Sequence, residues 1–116
     1  MNVEELRNYS LSLGSDVEEK MPFQAFKAAN GVLAFYVCGH MFCYFDIDRY
    51  ELVNVKCQPD RIGELKERYT SVTAPYNMNP RHWIGIRPEG ADDSLLRDLV
   101  QNSYEIVKQQ YSRKKK

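Results

Sequence analysis

Long apolar runs, a signal-type opening and an excess of charge of either sign are all missing from this chain of 116 residues. No stretch approaches the roughly 20 apolar residues that span a bilayer, and no charged-then-apolar segment opens the sequence. The expectation is a cytoplasmic protein with no membrane attachment. Cysteine occurs only three times, at Cys38, Cys43 and Cys57. An odd number set in apolar runs argues for reduced, buried thiols rather than a disulfide framework. A glycine-rich phosphate loop is also missing. No serine or cysteine nucleophile can be paired with a base on spacing, so the expectation is a protein that is not an enzyme, although His82 has the chemistry of a general acid or base. Cys38, His40 and Cys43 lack a fourth ligand, and strand alternation makes them a poor zinc pattern. Neither metal nor cofactor is expected.

Charge balances overall, with 16 basic and 16 acidic side chains, but it is unevenly placed. Residues 1–52 carry 4 basic and 8 acidic side chains, and residues 53–116 carry 12 and 8. Arg113, Lys114, Lys115 and Lys116 account for the whole basic surplus of the second part. Without that tail the chain lacks the basic footprint of a nucleic-acid binder. The length suits a single domain able to bury a core without staples, here 1–112, with 113–116 as a basic tail.

Periodicity supplies the elements. Val3, Leu6, Tyr9 and Leu13 recur at helical spacing and Gly14 offers a stop, which predicts a helix over roughly 3–13. Pro22 to Lys27 reads as a short edge strand, where a leading proline is tolerated. Val32 to Cys38 and Met41 to Ile47 are β-rich runs around Gly39-His40, a hairpin signature. Leu52 to Cys57 extends the meander, with Val53, Val55 and Cys57 on one face and Leu52, Asn54 and Lys56 on the other. Pro59 begins a second helix with Ile62, Leu65 and Tyr69 as its buried stripe and Glu64–Arg68 as a surface pair. A loop over 70–81 leads to a strand from His82 to Arg87. The last helix runs from Asp92 to about Tyr111, with Leu96, Leu99, Val100, Ser103, Ile106 and Val107 inward and Asp92 and Asp93 at its start. The class is α+β, with helices packed on one face of an antiparallel sheet.

One stretch stands apart. Tyr76-Asn77-Met78-Asn79-Pro80-Arg81-His82-Trp83 gathers the only tryptophan, one of two histidines, two asparagines and an arginine. Pro80 fixes one backbone angle and presses Asn79 towards extended geometry, so a rigid loop is expected. Rigid loops dense in polar and aromatic side chains suit binding. The plainer alternative makes Trp83 and Tyr76 core anchors, with His82 and the asparagines bonding neighbouring backbone.

On four pieces the chain resembles the MmcQ/YjbR family of small bacterial proteins over nearly its whole length. Pro22-Phe23 follows an acidic loop. Gly39-His40-Met41-Phe42 is close to the family's G-G-K-M-F, and Asn54-Val55-Lys56-Cys57-Gln58-Pro59 to its N-L-K-C-x-P. The most specific piece is Tyr76 to Trp83, close to Y-x-M-N-K-x-H-W, followed by a Ser103-Tyr104 that matches the final helix. The resemblance implies a frataxin-like fold described as a double-wing DNA-binding motif. Helix 1, with only Glu4 and Glu5 as acidic residues, offers no ridge of oxygen ligands for the iron that such a fold suggests. The chain departs from the pattern at Pro80, where a lysine is usual, at Gln58, where an aspartate cap is usual, and over 90–93, about one residue short and without a helix-opening proline.

Two functions of different kinds follow. In the first, which the resemblance puts ahead, the protein is a weak, sequence-tolerant DNA-binding or regulatory protein. Lys56, Asn79, Arg81 and His82 then meet phosphate or base edges, and Tyr76 or Trp83 stacks. In the second, the same residues bind another protein or a small acidic ligand and nucleic acid plays no part.

Overall fold

The computed structural model describes residues 1–112, so the basic tail 113–116 lies outside the described residues. The chain order is α1 (Val3–Ser12), β1 (Glu18–Lys20), β2 (Val32–Val37), β3 (His40–Asp46), β4 (Val53–Lys56), α2 (Pro59–Arg68), β5 (Val72–Thr73), β6 (Trp83–Ile86) and α3 (Asp93–Ser112). The strands form one antiparallel sheet in the order β1-β2-β3-β4-β6-β5. All three helices contribute to a core on one face, where Leu6, Leu65, Leu96 and Val100 meet Phe35, Phe45, Val53 and Ile84. This is the expected α+β domain with its helices on one side.

Local chemistry explains the helices. Asn2 and Glu5 form a reciprocal capping box that satisfies two free N–H groups of α1. That helix ends at Ser12, with Leu13 as a right-handed C-cap, so Gly14 is not its left-handed stop. Gln58 precedes α2 without capping it. Its carboxamide instead exchanges two 3.0 Å hydrogen bonds with Asn102 of α3. The expected Glu64–Arg68 pair is not among the ion pairs of the described residues, and the Arg68 guanidinium lies over the Tyr69 ring. On α3, Tyr104 is buried and Ile106 only half-buried, so Tyr104 belongs to the inward stripe.

Several sequence expectations shift. The edge strand is Glu18–Lys20 rather than Pro22–Lys27. Residues 22–29 instead close tight turns, with Phe26 N–H on the Phe23 carbonyl and Ala29 N–H on the Phe26 carbonyl. Those turns satisfy backbone groups that a proline-led strand would leave open. The hairpin turn is Cys38-Gly39, both at positive φ (54° and 78°), one residue earlier than expected. Such a turn matches strand twist, and glycine tolerates the second position without strain. Inside the expected 70–81 loop, Val72 and Thr73 pair with Ile86 and Gly85.

The largest departure is a bulge. Phe35 faces Cys43 but Tyr36 faces Met41, so Phe42 is an extra residue in β3. Phe42 and Cys43 both enter the helical core, whereas Met41 turns to the opposite face. Simple alternation would have put Met41 beside Cys43. Past the Cys43–Val55 pair, Ser103 takes over the ladder. Its hydroxyl accepts from Lys56 N–H at 2.8 Å and donates to the Phe42 carbonyl.

The other face carries a smaller cluster of Val32, Ala34, Tyr44 and Trp83, and among the described residues no α-helix packs on it. Phe23 and Ala29 from one segment and Met78 from another pack against it. This face, covered by loops, holds the site described next.

Candidate functional site

The Tyr76 segment is tied to the sheet by a buried polar clamp. Asn54, only 3% exposed, sits mid-strand on the loop-covered face. Its carboxamide oxygen accepts the Tyr76 N–H at 2.9 Å, and its NH2 donates to the Tyr44 carbonyl at 3.3 Å. The Tyr44 hydroxyl donates to the Tyr76 carbonyl. Burial, with Cys43 and Tyr76 nearby, pushes the Tyr44 phenol well above its ordinary range and keeps it a donor. The loop can come this close because position 85 is glycine: a Cβ there would lie 2.7 Å from the Ala74 carbonyl oxygen. Asn77, at φ 55°, then turns the chain outwards.

Asn79 folds the segment back. Its side-chain oxygen accepts the Arg81 N–H at 3.0 Å, and its carbonyl accepts from both His82 and Trp83 at 3.1 Å. Pro80 fits inside this Asx-type turn, where no N–H is required of it. Trp83 is 9% exposed, with its ring 5.8 Å from that of Tyr44. Arg81 and His82 are exposed, and the His82 carbonyl takes the Cys57 N–H at 2.9 Å.

Lys56 is Trp83's partner in register, yet its ammonium points elsewhere. It lies 3.2 Å from the Gln110 Oε1 and 5.7 Å from the centre of the Tyr111 ring, near the end of α3. Tyr111 stacks in turn on His40. The structure therefore joins Lys56 to the Asn79–Trp83 segment through backbone pairing, while the Lys56 head sits with α3. Tyr76 faces a different neighbourhood.

That neighbourhood is a cleft of ≈ 100 Å³ lined by Ala28, Val32, Tyr44, Asp46, Arg49, Glu51, Leu52, Asn54 and Tyr76. Val32, Tyr44 and Asn54 are buried and form its floor; Arg49 and Glu51 are exposed, and Tyr76 is 55% exposed at its edge. Asp46 shapes the adjoining turn, its Oδ1 accepting the N–H groups of Asp48 (2.9 Å) and Arg49 (3.1 Å). Asp46, Arg49, Glu51 and Leu52 escape sequence reasoning because they look like ordinary turn residues between strands. Their one signal is three carboxylates within six positions. Among the described residues no group of three or more His, Cys, Asp or Glu is placed to hold a metal ion, and no helix is long and apolar enough to cross a membrane.

The YjbR family model matches residues 13–106, which include the clamp, the cleft and the Asn79 turn. The chain belongs to the YjbR family. One relative is the uncharacterised protein YbdF of Escherichia coli O157:H7, 36% identical over 56 residues. That match covers 47% of this chain and 46% of YbdF, so it spans about half the length of each protein. A crystal structure of Deinococcus radiodurans DR2400, with the domain DUF419, superposes with a TM-score of 0.81 at 25% identity, over 92% of this chain and 78% of that one. A Pseudomonas syringae protein shares the fold, with a TM-score of 0.76 at 19% identity, over 92% and 99% of the two chains. The fold thus recurs in both of these proteins.

Proposed function

We propose that this YjbR-family domain is a non-catalytic interaction module that receives a group from a partner protein in the cleft beside Tyr76. The observation that carries this reading is the buried clamp of Asn54 and Tyr44, which fixes a largely exposed tyrosine at the edge of that cleft. The clamp holds the Tyr76 backbone N–H and carbonyl, so the loop is positioned while the side chain stays open to a partner. The cleft is well below the roughly 300–1,000 Å³ of ordinary small-molecule pockets, which favours one protein side chain over a metabolite. Phe26, 64% exposed, lies in the other segment covering this face. A cytoplasmic setting, where the three free thiols stay reduced, fits this role.

The nucleic-acid alternative rests on the family resemblance and on the tail 113–116. Tyr76 has Asp46 and Glu51 as cleft neighbours, and carboxylates repel a phosphate backbone. Residues 1–112 carry 12 basic and 16 acidic side chains, so the body has no positive excess. Titration of a short labelled duplex by fluorescence anisotropy at about 50 mM salt separates the two. The expected result is no saturable binding at roughly tens of micromolar protein, within the range of non-specific DNA affinities. Binding that weakens steeply with salt, and disappears when residues 113–116 are removed, would replace the interaction-module reading with the DNA one.

A further inference from the structure

The cleft has a chemically mixed lining. Val32, Leu52 and the Tyr44 ring supply apolar wall, and Asp46 and Glu51 supply carboxylates. Asp48 adds a third carboxylate to the same turn, since a Cβ on Gly31 would lie 2.5 Å from its Oδ2 and 3.2 Å from the Asp46 Oδ1. Arg49 is the one cation lining the cleft. The ion pairs of the described residues are Met1–Asp93, Arg7–Glu19 and Lys108–Asp16, so none of these three carboxylates is neutralised by a described partner. A cleft lined by apolar side chains and by two carboxylates, Asp46 and Glu51, against one cation, Arg49, complements an aliphatic stem that ends in a cation.

We propose that the occupant of this cleft is a lysine side chain of a partner protein, its stem against Val32 and Leu52 and its ammonium at Asp46 and Glu51. This inference rests on the interaction-module reading and names its ligand. At Asp46 lysine fits better than arginine for a geometric reason. A guanidinium pairs best with both oxygens of one carboxylate, and the Asp46 Oδ1 already accepts two backbone N–H groups. A compact ammonium needs only the remaining oxygen. Tyr76, 55% exposed, adds an aromatic side chain to the same lining.

The test is amide chemical-shift mapping by NMR on the full chain, with three probes: n-butylammonium, 1-butanol and a capped Gly-Lys-Gly peptide. The expected result is that n-butylammonium and the peptide shift the amides of Asp46, Arg49, Asn54 and Tyr76, with affinity about two- to fivefold above that of 1-butanol, the range of a solvent-accessible ion pair. In a double variant, Asp46→Asn with Glu51→Gln, that preference should vanish while the turn persists, because asparagine keeps the accepting oxygen. Equal affinity for n-butylammonium and 1-butanol would overturn the lysine assignment and leave an apolar binding cleft. A preference that survives in the double variant would overturn it as well. Binding of n-butylammonium with exclusion of the peptide would assign the cleft to a free amine instead of a protein lysine. No cleft response to any probe would overturn both this inference and the interaction-module reading.

Discussion

Asn54 and Tyr76, 22 residues apart in sequence, are joined by a 2.9 Å hydrogen bond from the Tyr76 N–H to the Asn54 carboxamide oxygen. The bond anchors the Tyr76 loop to the middle of β4 and sets one wall of the cleft. Asn54→Ala removes the acceptor and leaves the Tyr76 N–H without its partner. The expected loss in a urea titration is about 1–3 kcal/mol, typical for stranding a buried polar group, together with weaker amide protection at Tyr76. A stability unchanged within experimental error would show that the loop is held by something else.

Trp83 belongs to the small cluster on the same face, with Val32, Ala34 and Tyr44. Trp83→Ala should cost about 3–5 kcal/mol, as large-to-small changes in packed sites do. Trp83 is the chain's only tryptophan, so unfolding of the variant has to be followed by far-UV circular dichroism. A cost below about 1 kcal/mol would mean that the cluster collapses around the gap or is loosely packed in solution.

Much of this fold was legible because periodic burial writes itself into sequence. The hairpin, the helix stripes and the Val53–Val55–Cys57 face all follow from alternation or helical spacing. What alternation could not show is its own interruption: the extra residue Phe42 moves Met41 to the other face without any change in residue type. Glu18–Lys20 was hidden for a different reason. A three-residue charged edge strand is held by its neighbour's backbone, not by apolar side chains. The candidate site was half legible. Of the stretch that stands out by composition only Tyr76 lines the cleft, and Asp46, Arg49 and Glu51 are brought to it only by tertiary folding. Lys56 was grouped with that segment by strand parity, and the pull of Gln110 and Tyr111 on its long stem is a tertiary effect.

Asp16 gives a pH signature. It accepts the Tyr104 hydroxyl at 2.8 Å and pairs with Lys108 at 3.1 Å. The Tyr104 hydrogen bond, followed by Lys108, holds its carboxyl below the usual range. A depressed folded pKa means stability that is present above the unfolded value of about 3.9 and lost as pH falls through the folded one. The stability gap between wild type and Asp16→Asn should therefore be constant above about pH 5. It should close in more acid solution. The pair is substantially solvent-exposed, so the gap should stay under about 1 kcal/mol. A gap that widens as the solution is acidified would contradict the assignment.

The three thiols should react at different rates. Cys43 is fully buried in the helical core, Cys57 nearly so, and burial raises both thiols above their ordinary range. Cys38, in the hairpin turn, is only half-buried. Labelling with a thiol reagent under native conditions, followed by mass mapping, should mark Cys38 first and leave Cys43 and Cys57 until the protein opens. Equal, rapid labelling of all three would mean that the β3–β4 core is exposed in solution.

The central claim, that a partner protein is met at the Tyr76 cleft, is tested most directly by placing a photo-crosslinking aromatic residue at position 76 in cells. The same residue at position 105, exposed on α3, serves as the control. Adducts formed from position 76 should be destroyed by protease and untouched by nuclease, and they should be lost when Asp46→Asn and Glu51→Gln are added. Nuclease-sensitive adducts at position 76, or identical adducts from position 105, would contradict the claim.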